Sequence, residues 1–426
     1  MGMTVVQKIL AAHSGAEALA VGDIVACYVD VAVMIDYSFS PLIAGDSFDI
    51  LRVDHPERIA VILDHAVPAP TVQDAVYHQA ARAFVRKFGI ERFTDVGANG
   101  GICHQVILES GLARPGQILT CADSHTIASG ALNCAARGLG PAEILQIVCT
   151  GKTWFQVSPT IKYVLEGRPQ PGVFGKDIFL HIAGLYGSVE GHNIEFDGEA
   201  LPYLSIDDRA TIATMCQEVS ANFATFPADE VVMNYLRQVT TDPIHPVVAD
   251  PDAEYEDVRT VDLSRIRPQV AKPDFVPHNT LPIAELTDEV RVDQAFVGSC
   301  ANGKLEDLRI AAAVVKGRRV AAGVRFIVTP ASQKVYLDAV RLGYVETLVE
   351  AGAVVTNSTC GACPGGHLGV LAPGEVCITS STRNFKGRMG SPDAKVYIAS
   401  SASVAASALT GRITDPTSYL AQAALA

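Results

Sequence analysis

The sequence lacks the features that would commit a chain to a membrane or to a nucleic acid. No apolar run approaches the ~20 residues a bilayer span needs. The start, Met-Gly-Met-Thr-Val-Val-Gln-Lys, has no long apolar core of the secretory kind, so a cytoplasmic protein is expected. Positive charge is in deficit: 33 Lys and Arg against 46 Asp and Glu leave a net charge of −13. That balance argues against nucleic acid or an anionic membrane as the main partner. Low-complexity segments and short-period repeats are missing. Disulfide density is also missing, since 10 cysteines in 426 residues are not a disulfide framework; in a reducing compartment such thiols stay free or bind metal. Cys27, Cys103, Cys121, Cys134, Cys149, Cys216 and Cys377 mostly sit in apolar neighbourhoods and read as buried structural thiols.

What is present is a large apolar fraction, 49 %, with 35 Gly and 23 Pro, which suits a sizeable core with many turns. The length prior is about three domains. Strand, loop and helix alternate through the first part of the chain. Helices are predicted over 4–12 and 71–88, and strands over 22–33, 58–63, 93–96 and 117–120. A Gly- and Ala-rich helix is predicted to run to about Arg137. The texture changes near Glu166. Helices are then predicted over 177–182 and 207–221, the latter with Arg209 near its start, and a β-like run covers 193–196. Residues 243–268, rich in Asp and Pro, read as a domain tail and linker. The last third returns to strands over 293–297, 325–328, 354–356, 376–379 and 396–398, with helices over 305–315, 333–351 and 402–409. The pattern predicts α/β architecture with mostly parallel sheets, divided at 1–165, 166–280 and 281–426.

The polar motifs fall just after predicted strands, where open α/β sheets bind ligands. Cys360 and Cys363 sit in Thr-Cys-Gly-Ala-Cys-Pro-Gly-Gly after the β-branched run at Val354. Cys300 follows another strand, in Gly-Ser-Cys-Ala-Asn-Gly. By spacing alone the C-x-x-C pair is open to several readings: a redox dithiol, half a zinc site, part of an iron–sulfur site, or no site. Zinc wants a second pair or close histidines, and only His367 stands nearby. Three histidines recur beside carboxylates or glycine turns: His65 after Asp64, His104 after Gly100-Gly101, and His125 after Asp123-Ser124. A carboxylate beside an imidazole fixes its tautomer and raises its basicity, which suits acid–base work. Arg383 and Arg388 follow a further strand, and arginine forks pair bidentately with carboxylates. A Lewis-acidic metal, acid–base imidazoles and carboxylate-binding arginines are the parts needed to move water on and off a hydroxy acid.

These motifs, with Gly101-Ile102-Cys103-His104-Gln105, Gly151-Lys152-Thr153-Trp154-Phe155 and Arg383-Asn384-Phe385-Lys386-Gly387-Arg388, span almost the whole chain. They resemble the aconitase superfamily, and within it the separate large subunits of the isopropylmalate dehydratase and homoaconitase type. The resemblance implies three α/β subdomains with the active site at strand C-terminal ends, and a 4Fe–4S cluster, one per subunit, on Cys300, Cys360 and Cys363. It implies acid–base and positioning roles for Asp64 with His65, His104 with Glu195, and Asp123 with His125. Ser124, Arg383 and Arg388 would bind substrate. It also implies a hydro-lyase acting on a hydroxy di- or tricarboxylic acid. 3-Isopropylmalate in leucine biosynthesis is the first expectation, and homocitrate, 2,3-dimethylmalate or another malate derivative are the alternatives. A cluster-sensing protein is the rival outside enzymes. The family's serine base stands in a Gly-Ser-Ser-Arg-Glu type loop that this sequence does not contain, so a small, swivel-domain subunit is the expected partner. Three positions depart from the family pattern: Ile35 before Asp36, Thr214 five residues after Arg209, and Thr382 before Arg383.

Overall fold

The structure is a computed structural model that describes residues 2–40 and 52–423. Its contacts divide the chain into two units, each built from separated stretches. The first comprises residues 1–96, 106–165 and 189–261; the second comprises 97–105, 166–188 and 262–426.

The first unit is organised by a five-stranded sheet in the order Arg92–Thr94, Ile59–Ile62, Val31–Ile35, Ile118–Cys121, Ala135–Gly138. Every neighbouring pair is parallel. The central strands, Val-Ala-Val-Met-Ile and Ile-Ala-Val-Ile, are buried along their whole length, as strands covered on both faces must be. Helix Val5–Ser14 starts at Thr4, whose side chain and that of Gln7 satisfy each other's backbone amides. Helix Val72–Phe88 starts at Thr71 and stops at Gly89, left-handed at φ 65°. A second sheet runs Ala224–Thr225, Asn193–Asp197, Thr160–Glu166, Asp257–Asp262. Ile24–Tyr28 and Lys152–Gln156 form a separate antiparallel ribbon.

The second unit carries a seven-stranded sheet: Thr280–Pro282, Gln269–Ala271, Lys395–Ala399, Val376–Thr379, Gln294–Val297, Arg325–Val328, Val354–Val355. The last five strands pair in parallel, and Gln269–Ala271 is antiparallel to both of its neighbours. Helices Leu305–Val315, Gln333–Arg341, Tyr344–Ala351 and Ser401–Thr410 belong to this unit. No helix among the described residues is long and apolar enough to cross a membrane.

The α/β class with mostly parallel sheets is as the sequence predicts, and four local expectations are corrected. The Gly- and Ala-rich segment is a 3-10 helix, Ser124–Leu132, and then a strand, Ala135–Gly138. Tight approach explains the change: a Cβ on Gly130 would fall 1.6 Å from the Ala224 carbonyl oxygen, so the segment is wound against a neighbouring strand. The helix expected over 207–221 ends at Met215, and a 3-10 turn, Cys216–Val219, follows. The helix expected over 333–351 is broken at Gly343, left-handed at φ 76°. The stretch read as a linker contains the edge strand Asp257–Asp262.

Candidate functional site

In the first unit the strands Val31–Ile35, Ile59–Ile62 and Ile118–Cys121 end on the same side of the sheet, because all are parallel. Val31–Ile35 is the point where strand order reverses, with Ile59–Ile62 on one flank and Ile118–Cys121 on the other. Such a reversal opens a crevice. The residues that follow these strands are Asp36, Asp64 with His65, and Asp123 to His125. His65 Nδ1 lies 2.7 Å from Asp64 Oδ1, and its Nε2 lies 3.3 Å from Asp123 Oδ2. The other Asp123 oxygen accepts the His125 backbone amide at 2.7 Å. His125 Nε2 lies 2.9 Å from Glu218 Oε1, and its Nδ1 lies 3.6 Å from Asp123 Oδ1. Both rings thus have a carboxylate toward each ring nitrogen. Ser124 is half-buried between Asp123 and His125.

Two residues of this array are not among the sequence candidates for catalysis. Asp36 is buried; its Oδ2 accepts the amides of His65 at 3.0 Å and Ala66 at 2.8 Å. Burial opposes its charge, but the His65 and His78 rings and the Ala66 amide outweigh that and hold its carboxyl well below the usual range. Glu218 reaches His125 only because the preceding helix gives way to a 3-10 turn, a change that helical periodicity hides. Glu195, expected beside an imidazole, has its oxygens on the Tyr255 hydroxyl at 2.6 Å and the Val5 amide at 3.1 Å. Burial raises its pKa.

In the second unit the reversal of strand order falls at Gln294–Val297, with Arg325–Val328 on one side and Val376–Thr379 on the other. Cys300 lies in the short helix Ser299–Asn302 that follows this strand. Cys360 and Cys363 form one turn, closed by a bond from the Cys363 amide to the Cys360 carbonyl at 3.2 Å. Ile102, Cys300 and Ala331 form one apolar cluster with Cys360 packed against it. The loop carrying His104 is fastened here: the Ile102 amide donates to Ala331 O, and the Gln333 amide donates to Gly100 O, both at 2.8 Å. Gly101 must be glycine, because a Cβ would meet Ser332 at 2.7 Å. Arg388 places Nη2 3.5 Å from Cys363 Sγ, and Arg383 is half-buried at the start of the same loop.

The loops bearing Cys300, Cys360, Cys363 and the arginines contain buried side-chain oxygens with no hydrogen-bond partner in the protein: Ser299 Oγ, Asn302 Oδ1, Ser358 Oγ, Ser381 Oγ and Thr382 Oγ1. Buried polar atoms are nearly always satisfied, so this concentration marks a place shaped for a polar guest. Three thiols with hydroxyl and amide neighbours suit an iron–sulfur cluster, whose sulfurs take hydrogen bonds. Two buried lysines add positive charge. Lys176 Nζ donates to Ser381 O at 3.0 Å, and Lys304 Nζ bonds Ala301 O beside Cys300. Burial pushes the Lys176 ammonium down to about 7 against the pull of Cys300, while Lys304 pushes in the same direction as burial. Of the positions that depart from the family pattern, Ile35 is a buried strand residue and Thr214 bonds its own helix at Ala210 O, 2.6 Å. Thr382 is among the unsatisfied oxygens.

Comparison with known proteins points the same way. The family model "Aconitase family (aconitate hydratase)" matches residues 7–411. The chain is 54 % identical, over 99 % of both chains, to the 3-isopropylmalate dehydratase large subunit of Mycolicibacterium smegmatis. It is 43 % identical to 3-isopropylmalate dehydratase large subunit 1 of Methanopyrus kandleri, over 99 % of this chain and 100 % of that one. The crystal structure of Thermococcus kodakaraensis aconitase X in its holo form is similar at a TM-score of 0.50 and 14 % identity, covering 86 % of this chain and 88 % of that chain, a likeness of fold alone. With a family match from residue 7 to residue 411 and relatives aligned end to end, the chain belongs to the aconitase family.

Proposed function

We propose that the chain is the large subunit of a hydro-lyase that removes water from 3-isopropylmalate and returns it, in leucine biosynthesis. One observation carries the reading: the thiols Cys300, Cys360 and Cys363, with unsatisfied oxygens in their loops, occur in a chain matched end to end by 3-isopropylmalate dehydratase large subunits. Those three thiols would hold a 4Fe–4S cluster, one per subunit. When bound, the cluster supplies a Lewis acid that polarises the substrate hydroxyl.

The rest falls to the side chains. His65 and His125, each facing carboxylates at both ring nitrogens, hold protons that can be given to the leaving oxygen. His104, on the loop fastened beside Cys300 and Cys360, is read as a third acid–base or positioning group, and Ser124 as a hydrogen-bonding partner of the substrate. Arg383 and Arg388 would pair with its carboxylates. Arg388 also donates toward Cys363, so it would fix the substrate relative to the thiols. The base that takes the carbon-bound proton is assigned to a small, swivel-domain subunit through a serine. The enzyme is read as cytoplasmic, the compartment in which open thiols stay reduced.

The test is anaerobic. The chain is reconstituted with iron and sulfide and combined with its small subunit. Turnover of 3-isopropylmalate, homocitrate, 2,3-dimethylmalate and citrate is then followed in parallel. 3-Isopropylmalate is expected to turn over, and the chain without the small subunit is expected to give no robust turnover. Preference for another acid would overturn the substrate assignment. Efficient turnover by the single chain would overturn the partner.

A further inference from the structure

Behind His65 lies a second layer of charge. Asp36 is fully buried at the end of the strand Val31–Ile35. Its Oδ2 takes the backbone amides of His65 and Ala66, and its Oδ1 takes the Tyr37 amide at 3.0 Å and lies 3.5 Å from His65 Nδ1. His78, on helix Val72–Phe88, is 2 % exposed; its Nε2 makes no hydrogen bond and faces Asp36 Oδ2 at 3.8 Å. That distance is too long for a hydrogen bond but close for a charge. Within the first unit, Asp64 from its own turn, Asp123 from the neighbouring strand end and Asp36 from the other side face His65, with the Tyr37 ring 5.0 Å away. Those that face His78 are Asp36 and, at longer range, Asp95.

We propose that Asp36 is a positioning residue for His65, fixing the turn that carries the imidazole and adding negative charge at its Nδ1 side, and that His78 acts on His65 only through Asp36. The inference rests on the reading of His65 as a proton donor. Two features separate Asp36 from an ordinary turn-capping carboxylate. Its second oxygen is aimed at the ring rather than into solvent, and a buried imidazole stands directly behind it. A carboxylate that orients an imidazole and stabilises its cation commonly changes activity by about tenfold to a hundredfold.

The experiment uses the cluster-loaded chain with its small subunit, and measures kcat and KM for 3-isopropylmalate for wild type, Asp36→Asn, His78→Gln and the double variant. Asp36→Asn keeps an oxygen for the two amide bonds. It is expected to lose about tenfold to a hundredfold in kcat with KM within about threefold. His78→Gln is expected to lose less, and to add nothing in the Asp36→Asn background. It leaves the amide bonds intact and so reads the same coupling should Asp36→Asn melt early. An unchanged kcat in Asp36→Asn, or additive losses in the double variant, overturns the inference and leaves Asp36 a structural cap. Wild-type turnover in His65→Gln would overturn the underlying reading, and the inference with it.

Discussion

In the first unit the strand Val31–Ile35 stands between Ile59–Ile62 and Ile118–Cys121; in the second, Gln294–Val297 stands between Arg325–Val328 and Val376–Thr379. Both are points where the order of parallel strands reverses, and both open a crevice at strand carboxyl ends. The contents differ. The first is filled by Asp36, Asp64, Asp123, Glu218 and two imidazoles. The second holds three thiols, with Lys176, Lys304 and Arg388 among the polar groups of their loops. The shared topology supplies only the opening. A few side chains decide whether the opening is lined with carboxylates and imidazoles or with thiols, lysines and an arginine.

Replacing any of Cys300, Cys360 or Cys363 by Ser tests the division most severely. Visible cluster absorption is expected to disappear, and turnover with it, while the far-ultraviolet dichroism stays that of the parent; surviving turnover would mean that the imidazole unit works without the thiols. His125→Gln is expected to cut kcat by about 10² to 10⁴ and leave the cluster spectrum unchanged. A bleached spectrum would show that the two chemistries are not separable. Glu218→Gln removes the charge 2.9 Å from His125, and a loss of about tenfold to a hundredfold in kcat is expected.

Arg209 sharpens the comparison from outside both crevices. It is wholly buried, paired through both terminal nitrogens with Asp229 at 2.8 and 2.6 Å, and bonded to Leu201 O. Asp229→Ala strands that charge and is expected to cost about 3 kcal/mol in urea unfolding with little change in KM. The smallest effect expected is a pH dependence. The folded-state pKa of Asp36 lies below its unfolded value, so its stabilisation is complete above about pH 4. It is lost as pH falls through the depressed folded value. Stability curves of wild type and Asp36→Asn should therefore converge as the medium is acidified below about pH 4; parallel curves would contradict this.

Much of this was legible in the sequence. Unbroken β-branched runs marked the buried parallel strands, and the polar motifs behind them marked the crevices. Thr4 and Thr71 announced the helix starts. What stayed hidden depended on distant neighbours. The segment after Asp123 is rich in helix-compatible residues, yet Gly130 lies against Ala224 and the segment winds as a 3-10 helix. Glu218 looks like one charge on a continuing helix, until the turn after Met215 brings it to His125. Asp36 follows an apolar strand and is 29 residues from His65 in the chain. Only the parallel register of their strands brings the two together.

The backbone at Ser299 shows how the loop that carries Cys300 is held. Ser299 adopts φ 77° immediately before Cys300, a left-handed conformation that costs a non-glycine residue about 1–3 kcal/mol and persists only where the surroundings enforce it. Here they do: Ser380 Oγ accepts the Gly298 amide at 3.2 Å, and Asp307 takes Asn302 Nδ2 at 2.8 Å, the Lys304 amide at 3.1 Å and Ser401 Oγ at 2.7 Å. These bonds tie the backbone on both sides of Cys300 to neighbouring loops. Loosening either tie, by Ser380→Ala or Asp307→Asn, is therefore expected to relax the turn that carries Cys300.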